Sequence, residues 1–312
     1  MVTYTITKHE AGKKLHRFVR TALPGLPLSG VHKLIRVGRV KVNGRKGKTD
    51  TLLEDGDTII FYMSQDEFDS LKKQTKKFSG ISTEIDIIYE DEHLLLVNKP
   101  IGMLTHPDQQ EHKHTLINQV LAYLHEQEQL DQRLFTPSTV NRLDRNTSGI
   151  VIIGKDAATI RELNEEIKHR KLGKWYLTVV HGQVRSDGEI TADLVREEAS
   201  NRTRIAKPNR SSNSNKDIKS AHTVYKVLDS NPKYSLLEIE LISGRTHQIR
   251  AHMQSIGHPL AGDVKYGGKI VHGLHHQMLH AYRVQLADGR EFQAPLPAEF
   301  ASFLKAAHVK PL

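Results

Sequence analysis

The stretch Asn141-Arg142-Leu143-Asp144-Arg145-Asn146-Thr147-Ser148-Gly149 sets one carboxylate between two arginines, directly ahead of the apolar run GIVIIGK. Opposite charges on both sides favour the ionised carboxylate. A polar turn feeding a buried strand presents it at a sheet edge, which suits a nucleophile. Taken alone, such an aspartate is more often an acceptor for backbone amides in an Asx turn. A second stretch shifts the balance: Gly244-Arg245-Thr246-His247-Gln248-Ile249-Arg250 packs two arginines and a histidine into one turn-to-helix transition. Such side chains make poor core residues, and burying them requires an anion, either Asp144 or a bound phosphate. In a third stretch, LVNKPIGMLTHP, a strand ends at Lys99-Pro100 and leads into a glycine-containing turn that can approach a ligand closely.

Other chemistries find less support. Gly47-Lys48-Thr49 looks like the end of a P-loop, but the first glycine of that pattern falls on position 42, which is Val. The chain has 19 histidines, including His272, His275, His276 and His280, and no cysteine. Without thiols, disulfides, iron–sulfur clusters and the common structural zinc sites are excluded. No convincing helix runs through HGLHHQMLH and no carboxylate sits within it. These histidines therefore read as surface or ligand-facing groups rather than a metal site, and a His-based metallohydrolase is the weaker rival.

The elements that position these groups follow from hydrophobic spacing. Leu15, Phe18, Val19 and Ala22 recur at helical period with Lys14, Arg17 and Arg20 between them, and Val31, Leu34 and Ile35 mark a second short helix with Ser29 as a candidate N-cap. Val40 and Val42 before Asn43-Gly44 signal a hairpin, and Asp55-Gly56 precedes another strand. Residues 67–82, in the polar run from position 65, read as a linker. Beyond it, EIDIIYEDEHLLLVNKP is two strands about a turn, Leu116 to Leu124 is a helix, GIVIIGK is a buried strand, and Asp156 caps a helix bearing Ile160, Leu163 and Ile167. WYLTVVHG, HTVYKVLD, SLLEIELIS and HAYRVQLADGREFQAP are further strands, and Ala298 to Ala307 is a terminal helix. The polar stretch from Arg196 to Ser220 is expected to be a mobile loop, either plain surface irregularity or a basic flap. Strands mixed with few helices in no regular alternation give an α+β domain on a largely antiparallel mixed sheet.

The predicted division is residues 1–66, a linker at 67–82 and a larger domain at 83–312. Its net charge of +9 is unevenly spread: residues 1–50 hold twelve Lys and Arg against Glu10 and Asp50, so the remainder sums to −1. A basic module on a near-neutral body reads as a polyanion-docking domain attached to an effector. No apolar run is long enough to span a bilayer and the start lacks the apolar core of a signal peptide, so the expectation is a cytoplasmic protein with no membrane association. No amphipathic surface helix asks for a partner, and a monomer is expected.

The N-terminal order of helix, turn, helix and hairpin around SGVHKLIRVGRVKVNG resembles the S4-like RNA-binding domain. That resemblance implies that His32, Lys33, Arg36, Arg39 and Lys41 lie against RNA phosphates. The blocks VNKPIGMLTHP, NRLDRNTSGIVIIGK, KWYLTVVHG and SGRTHQIRAH, in this order, are similar to the RluA-type pseudouridine synthases, and with the N-terminal domain they resemble the RluC/RluD branch. The resemblance implies an RNA isomerase without a cofactor, acting on large-subunit ribosomal RNA, with transfer RNA as the near rival. A non-catalytic RNA-binding assembly factor is the rival from another class. It further implies that Asp144 is the nucleophile, Tyr176 stacks on the target base and Arg250 pairs with Asp144. Ile249 would form an apolar floor and Arg142 would displace the base or hold RNA, with Lys99, Arg245 and His247 as further substrate contacts. Relatives often carry His where this chain has Asn141, a departure that flanks the chemistry and is expected to leave it intact.

Overall fold

The computed structural model describes residues 1–72, 78, 80–127, 129–130, 135–197, 200–206 and 218–310. The first unit is β1 (Val2–Thr5), α1 (Leu15–Ala22), α2 (Leu28–Arg36), β2 (Val40–Val42), β3 (Arg45–Lys46) and β4 (Thr58–Phe61). Its four strands pair antiparallel in the order β1-β4-β2-β3. Leu15, Phe18, Val19 and Ala22 of α1 and Val31 and Ile35 of α2 form one core with Ile59 and Phe61 of the sheet. The hairpin turns on Asn43 and Gly44, both at positive φ, as an Asn-Gly two-residue turn demands.

Two expectations are corrected here. Ser29 is not a cap: α2 starts at Leu28 after Pro27, with no side-chain cap bond. The polar stretch expected to be a linker opens as a helix, α3 (Gln65–Lys72), whose Phe68 is buried among Tyr4 and Phe61 in the first core. One aromatic residue anchors a helix that is otherwise polar, and residues 73–77 and 79 of that stretch lie outside the described residues.

The second unit comprises β5 (Ile87–Glu90), β6 (Leu94–Lys99), α4 (Leu116–Glu126), β7 (Ser138–Thr139), β8 (Ser148–Gly154), α5 (Ala157–Lys168), β9 (Gly173–His181), β10 (Gly188–Glu197), β11 (Arg202–Ile205), β12 (Ile218–Ser230), β13 (Tyr234–Leu241), α6 (Gln248–Ser255), β14 (Leu279–Gln285), β15 (Glu291–Gln293) and α7 (Ala298–Ala307). Its eleven strands form one sheet in the order β11-β10-β12-β13-β9-β14-β8-β6-β5, with β15 added to β14 and β7 to β8. Among the described residues only the β14–β8 strand pairing is parallel, so the α+β class with a largely antiparallel mixed sheet holds.

The central strands are buried on both faces because period-two alternation feeds two cores. Leu95 and Val97 of β6 with Val151 and Ile153 of β8 face Leu116, Val120 and Leu124 of α4. Leu94, Leu96, Ile150 and Ile152 face Leu163 of α5 on the other side. Asp156 caps α5 as expected, its Oδ1 accepting from the Thr159 amide at 2.9 Å. At the parallel junction Gly149 has φ +111, and a Cβ there would stand 2.1 Å from the carbonyl oxygen of Ala281. This close approach sets β8 and the turn before it against β14.

The expected loop between Arg196 and Ser220 is largely strand where it is described: β10 runs through Glu197, β11 covers Arg202–Ile205 and β12 begins at Ile218. Polar edge strands carry little of the apolar signal that marks strands in sequence. Residues 198–199 and 207–217 lie outside the described residues.

Candidate active site

Asp144 sits in the turn before β8, and its surroundings are fastened by backbone contacts. The Thr105 hydroxyl donates to the Leu143 carbonyl at 2.9 Å and accepts from the Leu143 amide at 3.2 Å. The Thr147 amide closes the turn on the Asp144 carbonyl at 3.1 Å. Asn141 holds the β8 backbone through the Ile150 carbonyl and the Ile152 amide, so it serves the frame of the turn.

Of the two sequence-adjacent arginines, Arg142 is exposed at the cavity lip and Arg145 reaches toward Asp108 at 3.8 Å. The cation that does meet Asp144 comes from α6. Arg250, 8 % exposed, donates from Nη1 to Asp144 Oδ2 at 3.3 Å. Its firmer partner is Asp263, which accepts from Nε at 2.7 Å and from Nη2 at 2.8 Å in a two-pronged pair. The anion required by a buried guanidinium is therefore supplied chiefly by Asp263, itself 1 % exposed.

The loop entering α6 is pinned by Gln248, whose side-chain oxygen accepts from Ser243 Oγ and the Arg245 amide while its nitrogen donates to the His222 carbonyl and Thr223 Oγ1. His247 adopts a left-handed conformation at φ 52°. This turn aims its ring inward, with Nε2 3.6 Å from Asp144 Oδ2 and Nδ1 2.9 Å from the Tyr266 hydroxyl. Burial pushes the His247 pKa well below its ordinary value; Arg250 and Lys265 add to this and Asp144 opposes it, leaving a neutral ring. Tyr266 is fully buried, accepts from the Thr203 amide at 2.7 Å and stacks its ring under the guanidiniums of Arg250 and Arg202.

A cavity of about 220 Å³ opens beside these groups, walled by Asp144, Tyr176, Ile249, His247, Arg142 and Lys174 among others. Tyr176 and Ile249 give it apolar sides; both belong to the main core. Burial, reinforced by the charge of Asp144, holds the Tyr176 phenol far above its usual pKa, so it stays protonated. Arg245 also lines the cavity, with its Nε committed to the Ser220 carbonyl.

Lys99 does not belong there. It is fully buried, and its ammonium donates to the carbonyls of Pro100, Met103 and Arg145, tying β6 to the turn beside Asp144. Three carbonyl acceptors, rather than a ligand, satisfy its charge. His280 is likewise corrected from a surface group to a buried one, its Nδ1 paired with Ser148 Oγ at 2.9 Å. Among the described residues no cluster of three His, Asp or Glu side chains is arranged to hold a metal.

In the N-terminal unit His32, Lys33 and Arg36 are exposed along α2. Arg39 is engaged internally with Glu67 Oε2 at 2.8 Å and the Tyr62 carbonyl at 3.1 Å, and Lys41 lies over the Tyr62 ring.

A carboxylate turn and an apolar-walled cavity, set on a largely antiparallel mixed sheet, define the frame of an enzyme site. Residues 93–255 match the RNA pseudouridylate synthase family, and the chain belongs to it: it is an RNA pseudouridine synthase of the RluA type. It is 32% identical to an uncharacterized RNA pseudouridine synthase of Mycoplasma pneumoniae, over 99% of this chain and 96% of that one. It is 31% identical to the ribosomal large subunit pseudouridine synthase C of Escherichia coli K12, over 85% of this chain and 79% of that one. The solved structure of human RNA pseudouridylate synthase domain containing 4 superposes with a TM-score of 0.62 at 21% identity, covering 72% of this chain and 94% of that one, a likeness of fold. Asp263, Tyr266 and Lys174 were missed in the sequence; the only signal for Asp263 was the demand of two arginines for an anion.

Proposed function

We propose that this enzyme isomerises uridines of large-subunit ribosomal RNA, with Asp144 as the nucleophile and the target nucleotide flipped out of its helix into the cavity. The observation that carries the reading is Asp144 at the wall of a cavity whose apolar sides are Tyr176 and Ile249, with Arg250 on the carboxylate. Flipping costs a few kcal/mol. Stacking the uracil between Tyr176 and Ile249 offsets part of that cost, and Arg142 at the lip holds the displaced strand. Cleaving N1–C1′ and joining C5 to C1′ leaves composition and redox state unchanged: the C5 hydrogen leaves to solvent as a proton and N1, freed from the sugar, takes up a proton. Tyr176, kept protonated, acts as a stacking wall and a hydrogen-bond donor rather than as a base. The ribosomal substrate draws on the similarity to the ribosomal large subunit enzyme of E. coli.

Tritium release from C5-labelled uridine tests it on two transcripts, large-subunit ribosomal RNA and mixed transfer RNA. Release from the ribosomal transcript by wild type, lost in Asp144→Asn, is the expected result. Release from transfer RNA alone would move the substrate assignment, and undiminished release by Asp144→Asn would remove Asp144 as nucleophile.

A further inference from the structure

Among the described residues three lysines are buried, and two have evident reasons. Lys99 donates to three carbonyls, and Lys155 pairs with Glu90 Oε1 at 2.6 Å and the Asp91 carbonyl at 2.7 Å. Lys174 is 7 % exposed and has no hydrogen-bond or ion-pair partner among the described residues. It lines the cavity that Asp144 and Tyr176 line. Its stem is buried while the ammonium faces the cavity, so it is only partly hydrated there and a polar partner entering the cavity would replace the water it has lost.

The partner's charge follows from the surroundings. Arg142, Lys174, Arg245 and Arg250 are cations of the cavity wall, and Asp144 is its one carboxylate among the described residues. Arg250 is committed to Asp263 and Asp144, and Arg245 reaches the Ser220 carbonyl, which leaves Arg142, exposed at the lip, and Lys174, buried beside Tyr176. Burial alone draws its pKa below the ordinary value, with no carboxylate opposing the shift. The ammonium lies beside the loop that enters α6, where a Cβ built on Gly244 would stand 3.9 Å from Lys174 Nζ, an ordinary contact distance. Lys174 and Tyr176 lie two residues apart on β9, hence on one face of the strand, with Cα atoms roughly 6.6 Å apart. A base lying on Tyr176 would carry its own backbone past Lys174. A partly buried ammonium, a compact point charge, gains most from a full negative charge.

We propose that Lys174 is a phosphate-binding residue of the active-site cavity, gripping a phosphodiester that flanks the uridine seated on Tyr176. The proposal rests on the cavity receiving a uridine, and its test needs binding rather than turnover. Affinity of the full chain is measured against salt for a single-stranded oligonucleotide with one uridine, using wild type, Lys174→Met and Lys174→Arg. The methionine variant is expected to bind about tenfold more weakly, with the slope of log affinity against log salt reduced by about 0.7, while arginine restores the slope. The methionine variant should unfold at a temperature no lower than wild type, because a partly buried charge without a partner is gone; a lysine serving only packing would lower it and leave the slope alone. A neutral methylphosphonate on one side of the uridine should weaken wild type and leave Lys174→Met unchanged. Unaltered affinity and slope in Lys174→Met, or additive losses with methylphosphonates on both sides, would overturn the proposal. Absence of isomerisation by wild type would count against the proposed function and leave this result readable.

Discussion

Arg250 reaches two carboxylates of opposite purpose, one facing the cavity and one buried behind it. Removing the buried partner separates holding from reacting. Asp263→Leu leaves a guanidinium buried with one long contact to Asp144, and the expected cost is about 3–5 kcal/mol of stability by urea denaturation. Isomerisation should fall with it as Arg250 reorients. The double variant Arg250→Met with Asp263→Leu should recover most of the stability and none of the activity, since an apolar pair replaces a buried ion pair at little cost. Residue types pointed to Asp144 and to the cluster holding His247 and Arg250, and the family resemblance added Tyr176 and Ile249; all five line one cavity. The sequence could not say which aspartate would neutralise Arg250, because Asp263 lies in a loop 13 residues beyond and no local pattern marks the pairing. Lys99 was misjudged for a related reason: a lysine at a strand end looks ligand-facing until three carbonyls are found around it.

The elements that sequence made legible are those with dense apolar periodicity. β6, β8 and α4 are readable because they are buried on facing layers, and α7 matches the expected Ala298–Ala307 at both ends. α3 was hidden because only Phe68 and Leu71 of its eight residues are apolar, and the β10–β11 edge because its strands alternate charged residues with single buried ones. How the carboxylate turn is held between β6 and β8 also belongs to this scale. Lys99 spans both sides of that turn, so Lys99→Met should leave three part-buried carbonyls without their donor and cost roughly 1–3 kcal/mol in all. The turn should loosen, lowering kcat in tritium release while leaving KM and the salt dependence of binding near wild type. A drop in the salt slope instead would mean that Lys99 meets RNA after all.

At the scale of the molecule, charge is segregated: +10 lies in residues 1–50 and −1 in everything after. If the N-terminal unit docks RNA through phosphates, its exposed cations and its internally paired ones must behave differently. Lys33 and Arg36 project from α2, whereas Arg39 bridges to Glu67 of α3 and the Tyr62 carbonyl. Neutralising Lys33 and Arg36 to Gln should therefore reduce the salt slope of RNA binding by roughly 1.4–1.8, two phosphate contacts' worth, and leave kcat unchanged. Arg39→Gln should do the reverse. It should lower stability by about 1 kcal/mol or less, as a half-exposed ion pair and one carbonyl bond are lost, and leave the slope nearly intact. Equal slopes for wild type and the Lys33/Arg36 double variant would detach the basic N-terminal surface from RNA docking. Binding would then rest on the cations around the cavity, where Arg142, Lys174 and Arg245 are too few to make the salt dependence steep.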